Sequence, residues 1–204
     1  MLSNISNGLA SLAAAEFQGY NFDKTEISKF IFKNPQLKKL EISTGHLNED
    51  VISSILNLER LNQLYIKDSS WNNENELNIS AENYSIKHFK YTGNGYNMNI
   101  VRIISLCKSL EVFEICDIAV LSSFVNTANN SFTEISTLLI ASSFDIYSIE
   151  LLLKLKKFDQ IKFRGVCKFI ELYNKIKRLK NCNWKSKCDY SIDTDEFTLI
   201  RKLK

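Results

Sequence analysis

"LKKLEI", residues 37–42, is followed by "LNQLYI" at 61–66, and the same cadence returns as "LEVFEI" at 110–115 and "ISTLLI" at 135–140. Each stretch is apolar at its first, fourth and sixth places. The alternation at the end of each stretch is that of a short strand with one side turned inward. Working outward from these four, the template also fits Leu12, Ala15, Phe17; Ile86, Phe89, Tyr91; Phe158, Ile161, Phe163; and Leu179, Cys182, Trp184. Units therefore begin near 12, 37, 61, 86, 110, 135, 158 and 179, at intervals of 25, 24, 25, 24, 25, 23 and 21 residues. All 24 template positions are apolar in a chain that is 45% apolar. A fixed template would achieve that by chance with a probability on the order of 10⁻⁸. Coincidence explains this poorly, and the interval is the length of one recurring unit.

A further apolar position follows five residues after the third anchor in the first five units, at Phe22, Leu47, Trp71, Tyr96 and Val120. Between the strands the periodicity is helical. "TEISKFIFKN" (25–34) gathers Ile27, Phe30 and Ile31 on one face, and "EDVISSILNLE" (49–59) gathers Val51, Ile52, Ile55 and Leu56. The segments 99–109, 118–128, 147–157 and 166–177 behave alike. The stretch "KDSSWNNENELNISAENYS" (67–85) is too polar for an amphipathic helix, and predicts an irregular loop from which Leu77 and Ile79 plug the core. Shorter final intervals predict a capping end closed by a helix over "DEFTLIRKLK" (195–204).

The pattern resembles the leucine-rich repeat superfamily, whose unit reads L-x-x-L-x-L followed by a turn and a helix. The likeness runs from about Leu12 to Trp184 and is closest to degenerate, helix-containing repeats of eukaryotic cytosolic and F-box-type proteins. It implies an α/β fold: a right-handed solenoid of about eight repeats, a parallel concave sheet and convex helices, forming a single domain over 1–204. The position three after the last anchor, usually Asn or Cys in that family, holds Gly45, Ser69, Asn94, Ile118, Ser143 and Val166, so only Asn94 fits. An ordinary α/β domain with accidental regularity is the competing architecture. An F-box version needs a longer parent chain, because only 11 residues precede Leu12.

Chemistry is sparse. His46 and His88 are the only histidines, one expected in a turn and the other facing out from a strand, and both suit structural roles. No G-x-S-x-G, P-loop or H-E-x-x-H occurs, and "TGNGYN" (92–97) is the turn after a strand. The five cysteines lack zinc-site or framework spacing; Cys107 and Cys182 read as small buried hydrophobes and Cys116 as facing outward. No enzyme activity, metal or cofactor is expected. The start of the chain makes a poor signal peptide and no run is long enough to span a membrane, so cytoplasm or nucleus is the expected location.

Surface remains. Side chains interleaved between the anchors should line the concave face. Among them Tyr65, Lys67, His88, Lys90, Val112, Glu114, Leu139, Ala141, Lys162 and Arg164 form the candidate partner-binding set, with Val112, Leu139 and Ala141 as its exposed apolar centre. That composition points to a non-enzymatic interaction module for a protein partner, a substrate receptor or assembly scaffold. Charge offers an alternative. Residues 1–150 carry 11 Lys and Arg against 17 Asp and Glu, net −6, whereas 151–204 carry 15 against 6, net +9. The basic third, with Lys162, Arg164 and Lys185 on concave strands, would suit an adaptor for nucleic acid or a ribonucleoprotein.

Overall fold

The six-residue template becomes a strand at every place where it can be followed. The computed structural model describes residues 9–19, 22–67, 77–93, 97–116, 135–141, 158–164, 174, 178, 184–191 and 194–201. Contacts divide the chain into two compact units, Met1–Gly93 with Asn97–Leu110, and Asn94–Tyr96 with Glu111–Lys204.

The first unit runs β1 (Ala14–Phe17), α1 (Lys24–Lys33), β2 (Lys39–Ser43), a 3₁₀ turn (Thr44–His46), α2 (Glu49–Leu56), β3 (Gln63–Lys67), β4 (His88–Tyr91) and α3 (Met98–Leu106). The four strands pair in parallel in chain order. One row across them is Ala15, Leu40, Leu64, Phe89, and the next inward row is Phe17, Ile42, Ile66, Tyr91. In the second unit β5 (Val112–Ile115), β6 (Ile135–Ile140) and β7 (Phe158–Arg164) are likewise parallel, with rows Phe113, Leu138, Ile161 and Ile115, Ile140, Phe163. Strand alternates with helix and parallel pairing dominates, so the chain is α/β.

These rows are dry. Leu40, Phe89, Phe113, Leu138 and Ile161 have no exposed surface and Leu64 has 1%. Burying one such side chain stabilises the fold by about 1.5–3 kcal/mol. The first anchors Leu37, Leu61, Ile86, Leu110, Ile135 and Phe158 are buried too, whereas Leu12 and Ala15, on the short strand β1 and just before it, are half-buried. Of the additional apolar positions, Leu47 is buried while Phe22 is 40% exposed, its ring edge-on to Phe17 and His46. Trp71, Tyr96 and Val120 lie outside the described residues.

One backbone arrangement recurs at the start of the strands. The carbonyl after the first anchor accepts two amides from the entry to the next strand. Ala13 accepts from Lys38 (2.8 Å) and Lys39 (3.1 Å), Lys38 from Asn62 (2.8 Å) and Gln63 (3.0 Å), and Asn62 from Lys87 (2.9 Å) and His88 (3.0 Å). In the second unit the Glu111 carbonyl takes the Thr137 amide at 3.0 Å and the Ser136 hydroxyl at 2.8 Å. The far end repeats as well, the third-anchor carbonyls of Ile66 and Ile115 accepting from Thr92 (3.0 Å) and Ala141 (2.9 Å).

The helices start where short polar side chains can satisfy free amides. Asp23 accepts from the Thr25 amide at 2.9 Å, Asn48 from Val51 at 2.9 Å and Asn97 from Asn99 at 3.0 Å. The helices bury the expected faces, Ile27, Phe30 and Ile31 on α1 and Val51, Ile52, Ile55 and Leu56 on α2. A Ser28–Ser54 hydroxyl contact of 2.7 Å joins α1 to α2. Between β3 and β4 the chain has no helix over 77–82, and Leu77 and Ile79 are 5% and 3% exposed, as the polar composition predicted. That segment is clipped to both neighbouring helices. The Asn78 amide donates to Glu49 (2.7 Å), the Leu77 amide to Asn99 (3.1 Å), and Arg102 to the Ile79 carbonyl (3.1 Å).

Buried asparagines occupy two places three residues before a first anchor. Asn34, fully buried, donates to the Phe30 carbonyl at 2.7 Å and accepts from the Leu9 amide at 2.8 Å. Asn83, 3% exposed, donates to the carbonyls of Leu56 (2.8 Å) and Leu58 (3.0 Å) and accepts from the amides of Ser85 (2.8 Å) and Ile86 (2.7 Å). It therefore closes the end of α2 and the entry to β4 with one side chain. Asn94, the residue that fits the family position, lies outside the described residues.

The carboxy-terminal end departs from expectation. The predicted closing helix over 195–204 is instead β9 (Thr194–Arg201), which pairs antiparallel with β7, and β8 (Trp184–Ser191) pairs antiparallel with β9. The eighth unit is thus not a parallel strand of the series: Trp184 opens β8, while Leu179 and Cys182 lie outside the described residues. Leu199 of β9 enters the inward row beside Ile161 with no exposed surface, which gives the antiparallel placement its apolar contact. The helical segments expected over 118–128, 147–157 and 166–177 lie outside the described residues, except that Asn174 is helical.

Asn83→Ala removes the side-chain donor to the Leu56 carbonyl and the acceptor of the Ser85 and Ile86 amides, while the Leu58 carbonyl keeps the Ser85 hydroxyl, and should cost about 1–3 kcal/mol in urea unfolding. An unchanged midpoint would show that Asn83 does not hold the α2 end to β4.

Candidate functional site

Alternation along the strands turns every second side chain away from the helices, and on β3 and β4 of the first unit, and at Lys39 and Glu41 of β2, these residues are half-buried rather than free-standing. Register arranges them in rows across the strands. One row is Ala14, Lys39, Gln63, His88; the next is Glu16, Glu41, Tyr65, Lys90; Ser43 and Lys67 begin a third.

Two clusters result. Lys67 is held between two carboxylates, 3.2 Å from Glu16 and bonded also to Glu41. The hydrogen bond from Gln18, and then that from Lys67, keep the Glu16 carboxyl below its ordinary value; Glu41 and then Glu16 keep the Lys67 ammonium above its own. Exposure of these groups to water makes the arrangement worth little in stability.

Tyr65 is the centre of the other cluster. The Lys39 ammonium lies 4.6 Å from the ring centre and that of Lys90 lies 5.7 Å from it, one from each neighbouring strand. Both are within cation–π range. The His88 ring meets Tyr65 edge-on at 5.3 Å, and the Tyr65 hydroxyl donates to Gln63 at 3.2 Å.

The corresponding face of the second unit is built differently. Glu114, Leu139, Lys162 and Thr198 form one row across β5, β6, β7 and β9. Val112 and Ala141 are half-buried, Lys162 is half-buried and Arg164 is exposed. Leu139 and Glu114, however, are each only 5% exposed, which corrects the expectation that Leu139 stands at the centre of an open apolar patch. The register is not at fault, since Leu138 pairs inward with Phe113 and Ile161. Leu139 sits in the middle row, with Glu114 and Lys162 beside it and Thr137 and Ala141 two residues away along the strand. Thr198, in the same row, is also buried.

Elsewhere the polar groups have structural surroundings. His46 is 3% exposed, its Nε2 without a hydrogen-bond partner and its ring edge-on to Phe22 at 5.7 Å. Burial pushes the Cys107 thiol up to about 12, which makes it an inert small hydrophobe. Beside the end of α2, a groove of about 340 Å³ runs between Glu59 and Tyr84 with Asn83 in its lining. Its Glu82 is bonded to the Tyr84 hydroxyl at 2.7 Å and to Lys108 at 3.2 Å. Among the described residues, no group of three or more His, Cys, Asp or Glu could hold a metal ion, and no helix is long and apolar enough to cross a membrane.

Of the ten residues picked out from the sequence, Tyr65, Lys67, His88 and Lys90 belong to the first unit, where Tyr65, His88 and Lys90 cluster and Lys67 pairs with Glu16 and Glu41. Val112, Glu114, Leu139, Ala141, Lys162 and Arg164 belong to the second. Lys39, read from the sequence as lining the same face, was left out of the ten, and Glu16 was not singled out, although its place in the row follows from the template. No protein-family model and no curated protein matches the chain.

Leu139→Asp would bury a carboxylate in the middle row and should cost at least about 2 kcal/mol. Val112→Asp, at a half-buried position, should cost less, and thermal unfolding of the two variants makes the comparison. Equal small shifts would return Leu139 to the surface.

Proposed function

We propose that this chain is a non-enzymatic interaction module of leucine-rich-repeat type that holds a protein partner on the outward faces of its strands, as a substrate receptor or assembly scaffold. The observation that carries this is the Tyr65 cluster. A half-buried aromatic ring lies between two lysines and a histidine on strands of fixed spacing, and aromatic side chains with polar surroundings are the usual anchors of protein interfaces. The parallel rows support the repeat architecture, because each coil of a solenoid adds one strand and so extends such a face by one column of side chains. The coil series supporting this assignment runs from β1 to β7; the antiparallel hairpin β8–β9 lies after it.

The second reading is an adaptor for nucleic acid, favoured by Lys162 and the exposed Arg164 on β7. Phosphate binding of that kind weakens steeply with salt.

Tyr65→Asp should leave the fold intact by circular dichroism and cost a bound protein partner about 2 kcal/mol or more. The measurement is recovery of the partner from nuclease-treated extract by wild-type and variant protein. Undiminished recovery by Tyr65→Asp, or salt-sensitive retention of RNA in its place, would reject the protein-partner reading.

A further inference from the structure

Resting on the interaction-module reading, we propose that the first unit's strand face recognises an acidic polypeptide segment, whose carboxylates are met by Lys39 and Lys90, the two ammonium groups beside Tyr65. The two ammonium groups come from β2 and β4 and lie 4.6 Å and 5.7 Å from one ring centre on β3. A ring so placed holds both cations in position, so that less side-chain freedom is lost when an anion arrives. His88 adds an imidazole edge to the same cluster.

The surrounding charge selects the class of anion. Beside the Tyr65 cluster, Lys67 is shared by Glu16 and Glu41, so the neighbouring part of the face carries one net negative charge. Residues 1–110 hold 11 Lys and Arg against 11 Asp and Glu, a net charge of zero. A nucleic acid would bring a continuous line of phosphates past those two carboxylates. A polypeptide can instead place an acidic side chain on the lysine pair and a neutral or basic one beside Glu16 and Glu41. Like-charge repulsion at the second position would then reject uniformly acidic partners and set the direction of the segment.

The probe is a fluorescein-labelled peptide of alternating glutamate and glycine, followed by fluorescence anisotropy at low salt with the full chain. A single-stranded oligouridylate of equal charge and a lysine–glycine peptide serve as comparisons. The wild type should bind the glutamate peptide in preference to both. Lys39→Glu with Lys90→Glu should weaken that binding at least about tenfold, whereas Lys162→Glu with Arg164→Glu should leave it unchanged. Lys39→Gln with Lys90→Gln, which removes charge without adding any, should give a loss in the same direction and covers the case in which charge reversal disturbs folding. Absence of glutamate-peptide binding, preference for the oligouridylate, full binding by the glutamine variant, or a loss confined to the Lys162 and Arg164 variant would each overturn the inference. The interaction-module reading is judged separately. If Tyr65→Asp still loses its protein partner while the glutamate peptide fails to bind, the face is a binding face and only the acidic chemistry is wrong.

Discussion

The structure depends on a carbonyl that serves two amides. Where the chain enters each strand it must turn from the preceding segment into the sheet direction, and a buried backbone group left without a partner there would be costly. The carbonyl following the first anchor meets that demand for the next coil, as Ala13 does for Lys38 and Lys39, and Lys38 for Asn62 and Gln63. Because β1, β2 and β3 each begin beside an acceptor that the next strand needs, the starting points of these strands are locked in register. Inward rows such as Leu40, Leu64 and Phe89 then follow from register, and so does the outward row that brings Glu41, Tyr65 and Lys90 side by side.

The same constraint explains what could be read from the sequence. Leu37, Leu40 and Ile42 announce their strand because one face of it is dry, and a one-residue slip would put every apolar group on the wrong side. Helices α1, α2 and α3 are legible for the corresponding reason at a period of 3.6, whereas the caps Asp23, Asn48 and Asn97 came only with the structure. The irregular segment holding Leu77 and Ile79 was legible by the absence of any period.

What the pattern could not convey is pairing that depends on residues far apart. Antiparallel placement of β9 beside β7 was hidden, because "DEFTLIRKLK" alternates for part of its length and also has helix-forming residues. Leu139 was misjudged because alternation specifies a side of the sheet, whereas exposure depends on the residues in the same row and those two places along the strand. Asn83 was missed because its role lies in carbonyls of another coil, Leu56 and Leu58, that no local motif reveals. For the candidate site, the template was enough to put Tyr65, His88 and Lys90 on one face. The approach of Lys39 to the Tyr65 ring came only with coordinates.

Register between successive coils is therefore the claim on which the rows, the buried core and the binding face all stand. It is tested most directly by nuclear Overhauser contacts in the isotopically labelled protein. The account predicts contacts of Leu64 with both Leu40 and Phe89, and backbone contacts of the staggered parallel kind between residues 39–43 and 63–67. Close Hα–Hα contacts between those two strands, which antiparallel pairing alone produces, or a Leu64 side chain that meets neither Leu40 nor Phe89, would contradict it.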